Sequence, residues 1–231
     1  MTTTGPQVLP ARPVLHTGGG HRDQMETTRG LLRRVAGGEL GPVLRLYEPA
    51  PTLAFGRRET HRAGYPAARQ AALRHGFEPV VRNAGGLAVA YGAGSLVAEL
   101  IAADPSPPAR LGARFAQFAE GLAGALRSLG VAASVGRLDG EYCPGDYSVI
   151  GGGRIKLAGT AQRLVSGGWL CSASVVVSGA APLRAVLGDV YRELGFGWRP
   201  ETLGAVADLV PSVTMARVQA ALAETFGAVT P

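Results

Sequence analysis

Apolar positions recur along this chain in two rhythms, one near 3.6 residues and one near 2, and their order sets out the elements. Met25, Leu31, Leu32 and Val35 share a face, which predicts a helix over 22–36 ended by Gly37-Gly38. Val43–Tyr47 alternates as a strand does; Pro49 and Pro51 interrupt it before Thr52–Gly56 resumes an extended run. A helix over Tyr65–His75, closed by Gly76, precedes a strand over Glu78–Arg82, a turn at Asn83-Ala-Gly-Gly86 and apolar strands over Leu87–Tyr91 and Ser95–Ala102. Leu111–Leu129 carries Phe115, Phe118, Leu122 and Leu126 on one stripe and stops at Gly130. Strands over Val131–Val135, Tyr147–Ile150, Arg154–Leu164 and Trp169–Val177 follow, with a hairpin-like Gly151–Gly153 turn, then helices over 182–194 and 212–226. This order is not a strict βαβ alternation. It predicts an α+β fold with a mixed, largely antiparallel sheet flanked by helices. The Pro- and Gly-rich residues 1–20 are expected to be loose, and 21–231 to form a single domain with a short helical C-terminal extension. The Asp104–Pro108 connector is too short to separate independent domains.

Composition narrows the function classes. With 46% apolar and 17% charged residues in 231, the chain is not of the disordered type, and no apolar run reaches the ~18 residues of a membrane span. Two cysteines and a start without a basic-then-apolar pattern fit a reducing cytoplasm. No nucleic-acid motif is present, and no metal-ligand spacing surrounds either cysteine. The net charge of +6 is a weak pointer to an acidic partner. More telling is its make-up: of 23 basic residues, only Lys156 is a lysine. A position that keeps Lys in so Arg-rich a chain can be one that needs a compact, rotatable ammonium, or a chance survivor.

Three segments carry candidate chemistry. Arg82-Asn-Ala-Gly-Gly86 combines a strand-end cation with glycines that let backbone approach a ligand; alone it reads equally as an ordinary turn. Gly140-Glu-Tyr-Cys143-Pro-Gly puts a thiol in a polar turn, unlike Cys171 inside an apolar strand; a Cys143–Cys171 disulfide stays open. In Arg154–Arg163, strand alternation turns Lys156 and Ala158 one way and Ile155 and Leu157 the other. There Gly159 allows close approach or a bulge, and a solvated face is the plain alternative. His61 and His75 read chiefly as surface or structural residues, with proton transfer a lesser role for His61.

Together with Tyr47-Glu-Pro and Phe55-Gly-Arg, these segments resemble the lipoate–protein ligase, octanoyltransferase and biotin–protein ligase superfamily over about residues 43–195. The Cys-Pro-Gly before the lysine is most similar to its cysteine-loop octanoyl transferases and lipoyl amidotransferases. That resemblance implies an acyl tunnel lined by Arg82, Gly85, Gly86 and Leu87, a carbonyl contact from Lys156, and substrate contacts from Gly159, Thr160 and Ala161. It implies acyl transfer to a lysine of a lipoyl domain through a Cys143 thioester, with no cofactor and no metal. The implied donor is an acyl carrier protein or an acylated lipoyl domain, and the implied acceptor is a glycine-cleavage H protein or dehydrogenase E2. Val81, Leu87 and Ala90–Gly94 depart from the pattern of the ATP-dependent ligases. An ATP- and Mg-dependent lipoate ligase, or a non-catalytic acyl- or partner-binding module, are the alternatives.

The chemistry sets requirements. A thiol of pKa ~8.5 is only a few per cent ionised at neutral pH, so a cation beside Cys143 is expected, and Lys156 is the candidate. Backbone N–H groups near Gly159 are candidates for an oxyanion hole. Leu87, Ala88, Val89, Val149 and Ile150 are candidates for the apolar wall, where each buried CH₂ contributes ~0.8 kcal/mol.

Overall fold

A computed structural model describes residues 12–16, 20–82 and 85–227. In chain order its elements are β1 (Arg12–His16), α1 (His21–Ala36), β2 (Val43–Tyr47), β3 (Thr52–Phe55), α2 (Tyr65–Arg74), β4 (Glu78–Val81), β5 (Val89–Tyr91) and β6 (Ser95–Ala103). Then come α3 (Leu111–Ser128), β7 (Ala133–Gly136), β8 (Ser148–Gly151), β9 (Ile155–Val165), β10 (Gly168–Val176), α4 (Ala180–Leu194) and α5 (Met215–Gly227), with short 3₁₀ turns between. The strands form a seven-stranded sheet in the order β1-β2-β6-β10-β9-β8-β7 and a three-stranded sheet in the order β4-β3-β5. Only β1–β2 and β3–β4 pair in parallel, so the sheets are mixed and largely antiparallel, as the element order predicts.

Alternation along the large sheet divides its two faces. Leu44 and Leu46 of β2, Leu100 of β6 and Cys171 of β10 turn to a core built with Phe118, Leu122 and Leu126 of α3 and Leu222 and Phe226 of α5. The intervening Val43, Ile101 and Leu170 turn the other way, onto Leu32 and Val35 of α1. That second face is covered by α1 only at one end. Beside it, the small sheet packs on α2 and α4 around Leu53, Phe55, Leu187 and Tyr191. The junction of the two sheets is where the chain leaves open space.

Two boundaries differ from the sequence reading. Within the expected loose segment, Arg12–His16 pairs in register with Val43–Tyr47; residues 1–11 and 17–19 lie outside the described residues. An edge strand held by one neighbour tolerates Pro13, and so carries no clear strand signature. The last helix opens at Met215 rather than 212, after a turn at Pro211-Ser212. Asn83 and Ala84 of the predicted Gly-Gly turn also lie outside the described residues.

Candidate active site

The cysteine loop, residues 137–147, joins β7 to β8 and delivers Cys143 to the junction of the sheets. Cys143 is the one described non-glycine residue with positive φ, 41°. Such a conformation costs ~1–2 kcal/mol and persists only where the surroundings fix it. Here three contacts do so. Its N–H donates to the Tyr191 hydroxyl (2.8 Å), its carbonyl accepts from Lys156 Nζ (2.9 Å), and its Sγ accepts the Leu87 N–H (3.2 Å). The Tyr191 hydroxyl in turn donates to the Ala88 carbonyl (3.1 Å), tying the cysteine to the backbone after the Gly-Gly turn.

Arg82 completes the surroundings of the sulfur. Its Nη2 donates to the Leu87 carbonyl (2.7 Å) and lies 3.7 Å from Cys143 Sγ. Burial disfavours its charge, but Tyr91, Cys143 and Glu59 outweigh that and hold the guanidinium pKa above its usual value. Gly86 closes the turn at φ 92°, and a Cβ there would stand 2.7 Å from both Arg82 Nη2 and Cys143 Sγ. The turn can be glycine only: a side chain would push the cation off the sulfur.

Lys156 is buried and does something other than expected. Its ammonium is 2.8 Å from Glu141 Oε2 and donates to the carbonyls of Tyr142 (3.0 Å) and Cys143. Glu141 also accepts from the Ser148 hydroxyl (2.7 Å) and the Gly145 N–H (3.2 Å). The three donors of the ammonium are thus met by three acceptors of the cysteine loop, and the expected ammonium–thiol pair is replaced by an Arg82–thiol pair. A planar guanidinium has no such three-way geometry, which gives the lone lysine a physical reason.

The strand that carries Lys156 is bulged. Val149 pairs with Ala158 and Ile150 with Lys156, so β9 has one extra residue opposite that step. Leu157 and Ala158 both enter the core, and Gly159, rather than Ala158, shares the Lys156 side. A Cβ at Gly159 would lie 3.3 Å from Lys156 Cε, so glycine leaves the lysine its room. Beyond Ala158 the register with β8 ends, and β9 continues on β10 alone.

A cavity of about 420 Å³ opens in front of these groups. Its floor is two cross-strand rows: Gly159, Ser174, Val97 and Tyr47 in one, Ala161, Ser172 and Glu99 in the next. At the far side Glu99 is paired with Arg45 (2.9 Å) and accepts from Thr28 (2.9 Å). Burial, foremost, holds the Glu99 carboxyl above its ordinary range.

A family model described as the lipoyl protein ligase A/B catalytic domain matches residues 21–227. The chain belongs to that family. An octanoyl-GcvH:protein N-octanoyltransferase of Geobacillus kaustophilus is 32% identical over 85% of this chain and 67% of its own length. One of the same name from Exiguobacterium sibiricum is 37% identical over 49% of this chain and 41% of its length. Against the second, the chain spans well under half of the relative. Among solved structures, a lipoate-protein ligase A bound with ATP superposes with a TM-score of 0.72 at 21% identity, covering 94% of this chain and 84% of the other. A T. acidophilum protein with bound lipoic acid gives 0.73 at 20%, with the same coverage. These last two establish the lipoate-ligase-like fold.

Within this family member, Arg82, Gly85, Gly86, Cys143, Lys156, Gly159, Thr160 and Ala161 all line the one cavity. Leu87 does not; it contributes its N–H to the sulfur, and its side chain packs against the small-sheet core. Of the expected apolar wall, Val89 faces the cavity, whereas Ala88, Val149 and Ile150 are buried elsewhere. His61 is exposed, and His75 pairs with Asp189 on the surface. Cys171 is free and buried, its thiol pushed up to about 12 by burial. Sequence reasoning missed Tyr191, Glu141 and Glu59. Glu59 accepts the N–H groups of Gly56 (2.6 Å) and Ala88 (2.8 Å), and so pins the segment that presents Leu87. Glu141 stands two residues before Cys143 inside the segment already singled out; Tyr191 lies on an amphipathic helix and carries no local signal.

Proposed function

We propose that this chain is an octanoyl transferase that carries the acyl group as a thioester on Cys143 and delivers it to a lysine of a lipoyl-domain protein. The observation that carries the reading is the sulfur itself: partly exposed, facing the cavity, and held between the Leu87 N–H and Arg82. The guanidinium and the backbone donor hold the sulfur facing the cavity, where as thiolate it attacks a carbonyl. The relatives' name links octanoyl-GcvH to a protein acceptor, so an acylated lipoyl-domain protein is the proposed donor.

The exchange balances. The Cys143 thiol gives its proton to water, the thiolate attacks the octanoyl carbonyl, the C–N bond to the donor lysine breaks, and the leaving amine takes a proton back from water. An incoming lysine amine then attacks the thioester, forms the new amide and returns the proton to sulfur. One amide is broken and one made, so the overall step needs no nucleotide, and none is proposed. The Leu87 N–H and the Arg82 guanidinium are the proposed stabilisers of the carbonyl oxygen; preorganised donors of this kind are worth ~3 kcal/mol each. Lys156 is the proposed positioning residue: it holds the loop in the conformation that turns the sulfur toward the cavity. The octanoyl tail lies across the floor rows, where burying seven CH₂ or CH₃ groups contributes several kcal/mol at ~0.8 each.

The test incubates purified chain with octanoyl-GcvH and an unmodified lipoyl domain in the absence of ATP. Octanoyl transfer in wild type and none in Cys143→Ala is expected. Transfer that requires ATP and releases pyrophosphate would instead make it a ligase.

A further inference from the structure

Tyr91 forms part of the wall of the Cys143 cavity and has no part in the transfer scheme. It lies in Ala90–Gly94, the stretch that departs from the ligase pattern. On β5, Val89 and Tyr91 face the cavity, while Ala90 between them packs into the core of the small sheet. A phenol so placed ordinarily finds a hydrogen-bond partner in the protein. The Tyr91 hydroxyl makes no hydrogen bond among the described residues, and it is not sealed. The side chain is half-buried and lines the cavity, so a ligand reaches it. Arg82, Cys143 and Glu99 are the ionisable groups that act on it most strongly.

The other titratable side chains around the sulfur are engaged or covered. Lys156 directs its three donors at Glu141 and the carbonyls of Tyr142 and Cys143, and Arg82 is bound to the Leu87 carbonyl. Tyr142 is 4% exposed, packed edge-on against Trp198 with the Lys156 ammonium over its ring. Breaking an amide makes a demand that breaking an activated ester does not: an alkylamine leaves only with a proton. We infer that the Tyr91 hydroxyl is a catalytic residue that hands this proton to the leaving lysine amine of the octanoyl donor. The inference rests on acyl transfer through Cys143.

The protons balance. As the thiolate adds and the C–N bond breaks, Tyr91 gives its proton to the nitrogen, and the phenolate recovers one from water, to which Cys143 gave its own. In the second half Tyr91 lends its proton to water and takes that of the attacking lysine nitrogen, and the expelled thiolate recovers one from water. Burial, with Cys143 and Glu99, holds the phenol above its ordinary pKa, so it carries its proton at neutral pH. Arg82 acts the other way and steadies the phenolate while the proton is away.

Two octanoyl donors separate this role from any other. Octanoyl-GcvH must lose an amine, whereas p-nitrophenyl octanoate loses p-nitrophenolate, which needs no proton. Acylation of Cys143 is followed by intact mass with the first and by the p-nitrophenolate burst with the second. Tyr91→Phe keeps the ring and removes only the hydroxyl. It is expected to slow acylation by octanoyl-GcvH about a hundredfold, with the ester burst within twofold of wild type. Both rates unchanged, or both slowed equally, would overturn the role. A wild-type chain acylated by the ester and never by octanoyl-GcvH would remove the transfer reading, and this role with it.

Discussion

At the scale of single residues the site is a set of exchanges between a strained cysteine and the groups that fix it. Tyr191 is the clearest test of that geometry, because it touches the backbone of Cys143 and not the sulfur. Tyr191→Phe leaves the Cys143 N–H and the Ala88 carbonyl without that partner, and should lower stability by about 1 kcal/mol. Chemical denaturation reads this, and kcat is expected to fall more than KM rises, since the loop loses alignment rather than affinity. Lys156→Arg should abolish transfer with the fold retained, as judged by far-UV circular dichroism. A guanidinium does not meet Glu141 and two carbonyls together. The two thiols separate by accessibility as well, Cys143 being partly exposed and Cys171 buried. Burial pushes Cys171 up to about 12, so at pH 8 alkylation should modify Cys143 alone. The raised folded pKa means the neutral thiol is favoured in the fold. That stabilisation is complete below the ordinary thiol pKa near 9 and is lost as pH rises from about 9 toward 12. The stability gap between wild type and Cys171→Ala should shrink across that window.

At the scale of elements, most of the fold is legible in the chain because helices and strands here bury one face each. Gly76 and Gly130 ended the predicted helices within a residue of the observed ends at Arg74 and Ser128. What was not legible depends on neighbours rather than periodicity. The bulge between Lys156 and Ala158 re-aims β9 because of its pairing with β8, and strict alternation placed Ala158 on the wrong side. The edge strand Arg12–His16 exists through β2. The hydrogen bonds that link Glu59 to Ala88, and Tyr191 to Cys143, span 29 and 48 residues, and no local pattern announces them. The sheet also sets a length for the acyl tail. Ala161 and Glu99 are two strand spacings apart, ~10 Å, whereas an extended eight-carbon chain measures ~9 Å. A twelve-carbon chain starting near Gly159 therefore meets the buried Glu99–Arg45 pair. Competition between octanoyl and dodecanoyl donors should favour octanoyl at least tenfold; equal use would place the tail elsewhere.

At the scale of the whole molecule, a chain of net charge +6 meets partners through long-range attraction before contact. If its lipoyl-domain partners are acidic, raising salt from 50 to 500 mM should raise KM for the protein substrate while kcat holds, since screening acts mainly on encounter. The two sheets contribute unequally to the reaction. The small sheet, with Glu59 and the Gly86 turn, supplies the donors on the sulfur, and the large sheet supplies the floor and Lys156. The cysteine loop touches both sets, through Leu87 and Arg82 on one side and Lys156 on the other. The proposed transfer requires a covalent acyl group at that point. Intact mass of the chain after brief exposure to octanoyl-GcvH, followed by hydroxylamine, tests it directly. One octanoyl adduct, mapped to Cys143 and removed by hydroxylamine, is predicted. An unmodified chain that nevertheless transfers the octanoyl group would contradict it.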